Sequence, residues 1–269
     1  MKKLTLAIAI SLPCLCFAAD TVEKPPKQWK LAWRDEFRKL DLRKWNVLVR
    51  EHSKHNELQY YLPDEVYVEN GRLLLRSRIR DFGSMHYTSG RVESKAAWTY
   101  GRFEIRARLP SGKGLWPAHW LYPQNRNWPM EYVMAEAVAN GKERLIPEAR
   151  PWYSEIDIME FLGHEPNVVY GTLHYYTFDG QKKTSSGTWK RQIDFSKDFH
   201  LFALEWEPQQ LRWFIDGKLI HSTTNGIPHT PHYLILNTAV GGAWPGNPDE
   251  TTVFPQFHEI DYVRVYQKQ

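Results

Sequence analysis

Gly101-Arg102-Phe103-Glu104-Ile105-Arg106-Ala107-Arg108-Leu109-Pro110 alternates apolar and charged side chains residue by residue. Successive side chains of a β-strand point to opposite faces, so the apolar residues from Phe103 to Leu109 share one face and the charged residues share the other. The pattern predicts a half-buried strand, with one face against a core and one face in water. Such strands are typical of antiparallel sheets.

The same alternation recurs along the chain. It is present over residues 202–207 and over residues 211–220, where Asp216-Gly217 interrupts it with a pair typical of hairpin turns. Further strand candidates are residues 66–68, 73–78, 168–175, 233–239 and 260–266. Short strands with turn residues between them, and hardly any helix, predict an all-β jelly-roll sandwich of two antiparallel sheets. We expect one domain over residues 31–269, since a single all-β domain can reach about 250 residues.

The N-terminal residues indicate an export signal. Lys2 and Lys3 precede an apolar stretch that is too short to serve as a membrane anchor, and a small residue, Ala18, favours cleavage after it. This gives a signal peptide over residues 1–18. Residues 19–30 are polar and contain proline, as in a linker, which disfavours the alternative of a buried N-terminal helix. We therefore expect a secreted or periplasmic monomer with no membrane anchor.

Both cysteines, Cys14 and Cys16, lie within the predicted signal peptide. The mature chain would therefore have neither disulfides nor thiolate metal ligands, and its stability must come from a large core. Neither cysteine has the flanking residues of a lipid-modified bacterial cysteine, so a lipoprotein is the less favoured alternative.

Composition narrows the class of partner. The net charge of +4 becomes +2 without Lys2 and Lys3, and basic residues are scattered among acids, which argues against nucleic acid. Aromatic residues make up 14% of the chain and include 12 tryptophans, many in Gly- and Pro-rich turns. Flat aromatic rings stack on the C–H faces of sugars, so a polysaccharide partner is expected. The alternative, that the aromatic residues only fill a β-core, will hold for many of them.

One long connection, an insertion over about residues 124–154, interrupts the strand pattern. Residues 129–140 place apolar side chains at helical spacing, with Pro129 at the start and Asn140-Gly141 at the end. The segment predicts a short amphipathic helix, which could narrow the binding cleft or only pack on the surface.

The connection leads into the acidic stretch Glu155-Ile156-Asp157-Ile158-Met159-Glu160. Retaining glycosidases need two carboxyl groups about 5 to 5.5 Å apart. On a regular strand Glu160 would face away from Glu155 and Asp157, but a β-bulge at Met159 or Ile158 would bring all three to one face. Mutual repulsion would then raise the pKa of one carboxyl, as a general acid requires. A solvated acidic edge is the alternative, but it does not explain the interleaved apolar residues.

The acidic stretch and seven further motifs resemble glycoside hydrolase family 16, in its laminarinase branch. The motifs are Trp33-Arg34-Asp35-Glu36-Phe37, Asn56-Glu57-Leu58-Gln59-Tyr60-Tyr61, Val68-Glu69-Asn70-Gly71, Tyr100-Gly101-Arg102-Phe103-Glu104, Gly114-Leu115-Trp116-Pro117-Ala118, Gly171-Thr172-Leu173-His174-Tyr175 and Asp261-Tyr262-Val263-Arg264-Val265-Tyr266, and the segment Gly241-Gly242-Ala243-Trp244-Pro245-Gly246-Asn247-Pro248 is similar too. The resemblance implies a β-jelly roll with an open cleft, Glu155 as nucleophile, Asp157 as its helper and Glu160 as acid/base. The inserted Met159 favours laminarinases over lichenases and xyloglucan transglycosylases.

The remaining site residues are candidates for substrate or metal. Trp116, Trp120 and Trp244 lie in or after Gly-rich turns and are the expected stacking platforms, with core packing as the alternative for Trp120. The polar candidates for sugar contacts are Asn56, Glu57, Arg91 and, by resemblance, His174. The resemblance also implies a structural calcium ion away from the cleft, at positions similar to Glu36, Gly71 and Asp261, and oxygen ligands suit calcium. No cofactor is expected for catalysis.

The sequence therefore predicts a secreted retaining endo-β-glucanase acting on β-1,3-glucan or on mixed-linkage β-glucan. A galactan hydrolase of the agarase or carrageenase type is an alternative within the same family, and a non-catalytic β-glucan-binding protein is an alternative outside enzymes. Zinc-protease and serine-hydrolase motifs are missing, since His164-Glu165-Pro166 stops short of His-Glu-x-x-His and no Gly-x-Ser-x-Gly is present.

Overall fold

The computed structural model describes residues 27–51, 54–124, 154–177 and 181–269. The strands are β1 (Trp29–Asp35), β2 (Trp45–Val47), β3 (Arg50–Glu51), β4 (Gln59–Tyr61), β5 (Val66–Glu69), β6 (Arg72–Phe82), β7 (Met85–Ser89), β8 (Arg91–Trp98), β9 (Gly101–Arg108), β10 (Leu115–Pro123), β11 (Glu155–Phe161), β12 (Val168–Tyr176), β13 (Lys182–Lys190), β14 (His200–Glu207), β15 (Gln210–Ile215), β16 (Lys218–Thr223), β17 (His232–Val240) and β18 (Gln256–Lys268). Two 3₁₀ turns, Lys54–Asn56 and Pro63–Glu65, complete these elements.

The strands form two sheets, as the alternating pattern predicts. The outer sheet runs in the order β16-β15-β14-β9-β18-β6-β7-β4-β3, with β1 paired to β18 and β5 paired to β6. The inner sheet runs in the order β13-β12-β11-β10-β17-β8-β2. Pairing is antiparallel except between β4 and β7. The apolar faces of the two sheets share one core, so the prediction of an all-β sandwich is confirmed.

Strand β9 shows how the sequence pattern produces a buried strand. Phe103, Ile105 and Ala107 are fully buried on its core face. The opposite face was expected in water, but Arg102 and Glu104 are also buried there. Arg102 binds Glu104 at 2.7 Å and Glu205 of β14 at 2.8 Å, so these ion pairs cover one another. The prediction of a half-buried strand is therefore wrong for this part of β9. The neighbouring strand β14, which is distant in sequence, supplies Glu205 and so completes the ion-pair network that buries these charges.

The other strand predictions agree with the observed elements. Residues 66–68, 73–78, 168–175, 233–239 and 260–266 lie within β5, β6, β12, β17 and β18. Asp216 and Gly217 join β15 to β16 with φ values of 48° and 74°, which is the left-handed backbone that two-residue hairpin turns require.

Some predictions concern residues that the structure does not describe. The signal peptide over residues 1–18, most of the linker and the helix over residues 129–140 lie outside the described residues. Among the residues that are described, no helix is long and apolar enough to cross a membrane.

Candidate active site

A β-bulge in β11 places the three acids of the acidic stretch on one face. Asp157 and Glu160 are three residues apart, but their partners on β10, Trp120 and Ala118, are only two residues apart. The extra residue falls within the pair Ile158 and Met159. Both side chains are buried in the core, whereas on a regular strand two consecutive side chains would point to opposite faces. The bulge predicted from the sequence is therefore observed, and Glu155, Asp157 and Glu160 line the same cavity.

Two residues from other strands accommodate the bulge. Trp213 of β15 reaches across the core from the outer sheet and donates its indole N–H to the backbone oxygen of Asp157 at 2.8 Å. Gly171 of β12 makes room for that indole, because a Cβ atom there would lie 2.6 Å from Trp213 Cδ1. The bulge thus has a hydrogen-bond donor for its carbonyl and a glycine opposite it.

Burial and mutual repulsion set the charge of the acids. The pKa of Asp157 is raised well above its ordinary value by burial and by the charges of Glu160 and Glu155. Burial and the charge of Glu155 raise the pKa of Glu160 to about 8, against the opposing effect of the N–H that Trp116 donates to it at 3.1 Å. Glu160 is consequently protonated at neutral pH, which is the state of a general acid.

His174 lies beside two of the acids. It is the cross-strand partner of Glu155, and its Nε2 is 3.5 Å from Asp157 Oδ2. Its Nδ1 is 3.0 Å from the hydroxyl of Thr184. Burial and the neighbouring Lys182 lower the pKa of His174 to about 4, so the imidazole is neutral at pH 7. Within the described structure, Asp157 Oδ2 is buried and has no hydrogen-bond partner.

Tryptophans form the walls of the site. The rings of Trp116 and Trp244 meet edge to face at 5.4 Å, and Tyr170 lies 4.9 Å beyond Trp244. Trp244 is 41% exposed, so its ring is accessible. Trp120 is only partly buried, lines the cavity, and donates its indole N–H to Asn237 at 2.7 Å. The structure thus places Trp120 at the cleft rather than in the core.

The cleft continues to both sides of the acids. One cavity, of about 260 Å³, contains Glu57, Arg91 and Trp120, and an adjoining one, of about 570 Å³, contains His174 and Trp244. The two cavities share five residues, which are His55, Trp116, Tyr122, Glu155 and Glu160. They therefore form one continuous cleft across the inner sheet.

Two of the predicted polar residues are held firmly in this cleft. The guanidinium of Arg91 binds Glu93 at 2.6 Å and lies 5.1 Å from the centre of the Trp120 ring. Glu57 is buried and accepts a hydrogen bond from Gln59 at 2.6 Å.

Asn56 does not line the cleft, and its neighbour His55 does. Both residues have a left-handed backbone, with φ values of 58° for His55 and 63° for Asn56. Two such residues in succession redirect the side chains, which local sequence does not reveal. The sugar contact of Asn56 therefore stays a prediction, and the residue of this segment that lines the cleft is His55.

Sequence reasoning also missed several cleft residues. Tyr170 and Thr172 alternate with buried residues on β12 and share the face of His174, so period two could have found them. Asn237 pairs across strands with Arg91, a predicted residue. Arg50, Tyr122 and Lys182 are further cleft residues that were missed.

The calcium candidates lie on the outer sheet, apart from the cleft. Register brings them together on β18 at the point where its pairing passes from β6 to β1, since Leu73 pairs with Ile260 and Asp35 pairs with Val263. The carboxylate of Glu36, however, is bound by Arg264 at 2.9 and 3.0 Å, and Asp261 Oδ2 is bound by Arg106 at 2.8 Å. The donor set fits calcium only in part, because guanidinium groups already neutralise these carboxylates.

Comparison with known proteins agrees with this geometry. The model of the family Glycosyl hydrolases family 16 matches residues 55–264. A β-glucanase of Rhodothermus marinus is 36% identical, covering 99% of this chain and 94% of that protein. A glucan endo-1,3-β-glucosidase of Cryptopygus antarcticus is 33% identical, covering 88% of this chain and 91% of that protein. Among solved structures, the laminarinase catalytic domain of Thermotoga maritima is 35% identical, with a TM-score of 0.73, covering 90% of this chain and 100% of that one.

Proposed function

The chain belongs to glycosyl hydrolases family 16, and from this premise we propose that it cleaves β-1,3-glucan or mixed-linkage β-1,3-1,4-glucan at internal bonds. The observation that carries the proposal is the bulged strand β11, which places three acids in one row along a continuous cleft. Relatives described as β-glucanase and glucan endo-1,3-β-glucosidase support the choice of substrate.

The reaction is a double displacement. Glu155 attacks the anomeric carbon while the protonated Glu160 gives its proton to the departing glycosidic oxygen, and a covalent glycosyl-enzyme forms. Glu160, now a carboxylate, takes a proton from water as the water attacks the anomeric carbon and releases Glu155. The raised pKa of Glu160, about 8, supports the first role, and loss of its proton in the first step permits the second.

Asp157 assists Glu155 through their shared environment. One carboxylate oxygen of Glu155, one carboxylate oxygen of Asp157 and one ring nitrogen of His174 all lie within 4.8 Å of one another. Burial raises the pKa of Asp157, so a proton on this side chain lowers the negative charge around Glu155 when Glu155 must be ionised.

Internal cleavage follows from the shape of the cleft. Residues on one side of the acids include Arg91 and Trp120, and those on the other side include Tyr170 and Trp244. A glucan chain lying across the inner sheet would contact both sides at once, with Trp116 beside the bond that breaks, since its indole binds Glu160. Aromatic rings hold such a chain by stacking on its sugar faces.

Export of the enzyme is part of the proposal. A polysaccharide is too large to enter a cell, so the enzyme acts outside the cytoplasm, after the signal over residues 1–18 is removed and as a monomer. Sequencing the N-terminus of the exported protein tests the cleavage site, for which a start at Ala19 is expected.

The test is a product profile of the purified protein on laminarin, lichenan, agarose, carrageenan and xyloglucan. We expect a ladder of oligosaccharides from laminarin or lichenan, and NMR of the first products should show the β-anomer. Hydrolysis of agarose or carrageenan alone would indicate a galactan hydrolase. Binding of laminarin without any hydrolysis would indicate a β-glucan-binding protein, and an initial α-anomer would contradict the roles of the two glutamates.

A further inference from the structure

Three metal-ligand atoms converge at the catalytic acids. Glu155, Asp157 and His174 each offer one such atom, and these atoms lie within 4.8 Å of one another. The group contains an imidazole nitrogen as well as two carboxylates, and this donor set is the one that zinc prefers over calcium or magnesium.

A second observation points to a ligand at this place. Asp157 is 3% exposed, and its Oδ2 has no hydrogen-bond partner in the described part of the chain. This oxygen faces His174 Nε2 at 3.5 Å, which is longer than an ordinary hydrogen bond. Tetrahedral zinc, with bonds of about 2.1 Å to nitrogen and oxygen, holds its ligands about 3.4 Å apart. The distance between the two atoms thus matches the separation of two ligand atoms bound to one zinc ion.

The surroundings of His174 support the same reading. Its Nδ1 is 3.0 Å from Thr184 Oγ1, so this hydroxyl can fix the ring while Nε2 points toward Asp157. A histidine that binds metal through one nitrogen commonly has its other nitrogen held in this way.

We propose that Glu155, Asp157 and His174 form a binding site for a transition-metal dication of the zinc class, and that the bound ion inhibits the enzyme. Three protein ligands leave one position for water, as in other open zinc sites. Zinc displaces the proton of Asp157 into solvent and takes the Glu155 carboxylate that attacks the substrate, so zinc and glucan exclude each other. Inhibition rests on the proposed function, whereas zinc binding itself does not.

Binding is tested by calorimetric titration of zinc chloride into the purified protein at pH 7. His174→Gln should weaken zinc binding by more than about 100-fold, because loss of a residue that only supports a ligand already costs about 10- to 100-fold and His174 is itself a proposed ligand. His200→Gln is the matched control, because His200 lies 2.8 Å from Asp216 in another histidine and aspartate pair, away from the cleft. His200→Gln should leave the cleft affinity unchanged, and equal zinc affinity of His174→Gln and the wild type would overturn the site.

A second variant separates the site from the activity. Glu160→Gln keeps all three ligands and resembles the protonated state of Glu160, so it should bind zinc like the wild type while hydrolysing glucan poorly. Normal zinc binding with no glucan hydrolysis by any form would refute the proposed function and leave the metal site standing.

Kinetics then tests the inhibition without any substitution. Zinc should raise the KM for laminarin without changing kcat, and a chelator should reverse the effect. Inhibition that lowers kcat at saturating laminarin would contradict a site shared with the substrate.

Discussion

Glu65, in the 3₁₀ turn that precedes β5 of the outer sheet, and Glu160, on β11 of the inner sheet, are both buried glutamates, but the protein gives them opposite charge states. Glu65 accepts hydrogen bonds from Arg76 at 2.6 Å, Arg78 at 2.8 Å and Thr88 at 2.7 Å. Burial raises its pKa, but these bonds outweigh burial and lower it. Glu160 has a neutral indole in place of the guanidinium groups, and its pKa rises to about 8.

The difference shows that partners, rather than burial, decide what a buried acid can do. An arginine fixes a carboxylate in its charged form, which suits an ion pair that holds strands together. A tryptophan N–H orients the carboxyl group and leaves its proton available. The same residue type therefore stabilises the outer sheet and can perform chemistry on the inner sheet.

Removing the nucleophile is the strongest test of the claim that the acids of the inner sheet perform the chemistry. Glu155→Ala should lower kcat by about 10⁴-fold or more, because without a carboxylate the first displacement has no attacking group. The variant should remain folded, because the Glu155 side chain lines the cleft and is not part of the core. Laminarin hydrolysis and far-UV circular dichroism measure the two outcomes, and a residual activity above about one per cent would assign the nucleophile elsewhere.

Glu160→Gln should have the next largest effect. Loss of a general acid and base costs about 10² to 10⁴ in kcat. In the wild type, the active form carries the proton, so kcat/KM should fall tenfold per pH unit above about pH 8. Rates between pH 6 and 10 measure this limb. The fall of kcat/KM above about pH 8 should be absent in Glu160→Gln. An unchanged fall in that variant would assign this pH dependence to another group.

Sequence predicts much of this site because strand side chains alternate with period two, and a departure from that period indicates a bulge. The even spacing of Glu155 and Asp157 and the odd spacing of Glu160 require an extra residue if all three are to face one cleft. Trp213 could not be assigned in the same way, since its contact with Asp157 joins the two sheets and spans 56 residues. His55 could not be assigned to the cleft either, because the direction of its side chain depends on two left-handed residues in succession.

Glu65→Gln is the counterpart of these variants on the outer sheet. It should lower the free energy of unfolding at pH 7 by about 1 to 3 kcal/mol, because arginines lose their charged partner. Laminarin turnover should remain within about twofold of the wild type, since Glu65 lies outside the cleft. A thermal unfolding series together with kcat measures both, and a large loss of kcat in folded Glu65→Gln would erase the distinction between the sheets.

Stability against pH should separate the same two glutamates by sign. The lowered pKa of Glu65 contributes stability above its ordinary value of 4.5, and this contribution is lost as the pH falls below that value. The raised pKa of Glu160 has the opposite effect, full below pH 4.5 and lost as the pH rises through about 8. Glu65→Gln should therefore approach the wild type in acid, whereas Glu160→Gln should gain on the wild type in stability as the pH rises above 4.5, with the full difference reached above about pH 8.

Trp213→Phe tests the link between the sheets with a smaller effect. It leaves the carbonyl of Asp157 without the indole N–H, so the bulge should shift and kcat should fall about tenfold. Trp206→Phe is a matched control, because Trp206 is equally buried and also donates to a backbone oxygen, that of Pro228 at 3.0 Å. Both variants should lose stability, but only Trp213→Phe should lose kcat at unchanged KM. Equal kcat values would show that the outer sheet supports the site only by folding.

The smallest expected effect concerns calcium at the place in the outer sheet where the pairing of β18 passes from β6 to β1. We propose that the ion is held there by backbone oxygens of Glu36 and Gly71 and by Asp261, because arginines occupy the Glu36 side chain and one oxygen of Asp261. Calcium at 100 times its Kd would stabilise the fold by about 2.7 kcal/mol, and a weaker site by less. The melting temperature in calcium minus that in chelator should be positive for the wild type and near zero for Asp261→Ala. Arg106→Ala, which removes the same ion pair but no ligand, should keep the difference. Equal differences in wild type and Asp261→Ala would mean that this part of β18, like the rest of the outer sheet, is held by arginine pairs rather than by a metal ion.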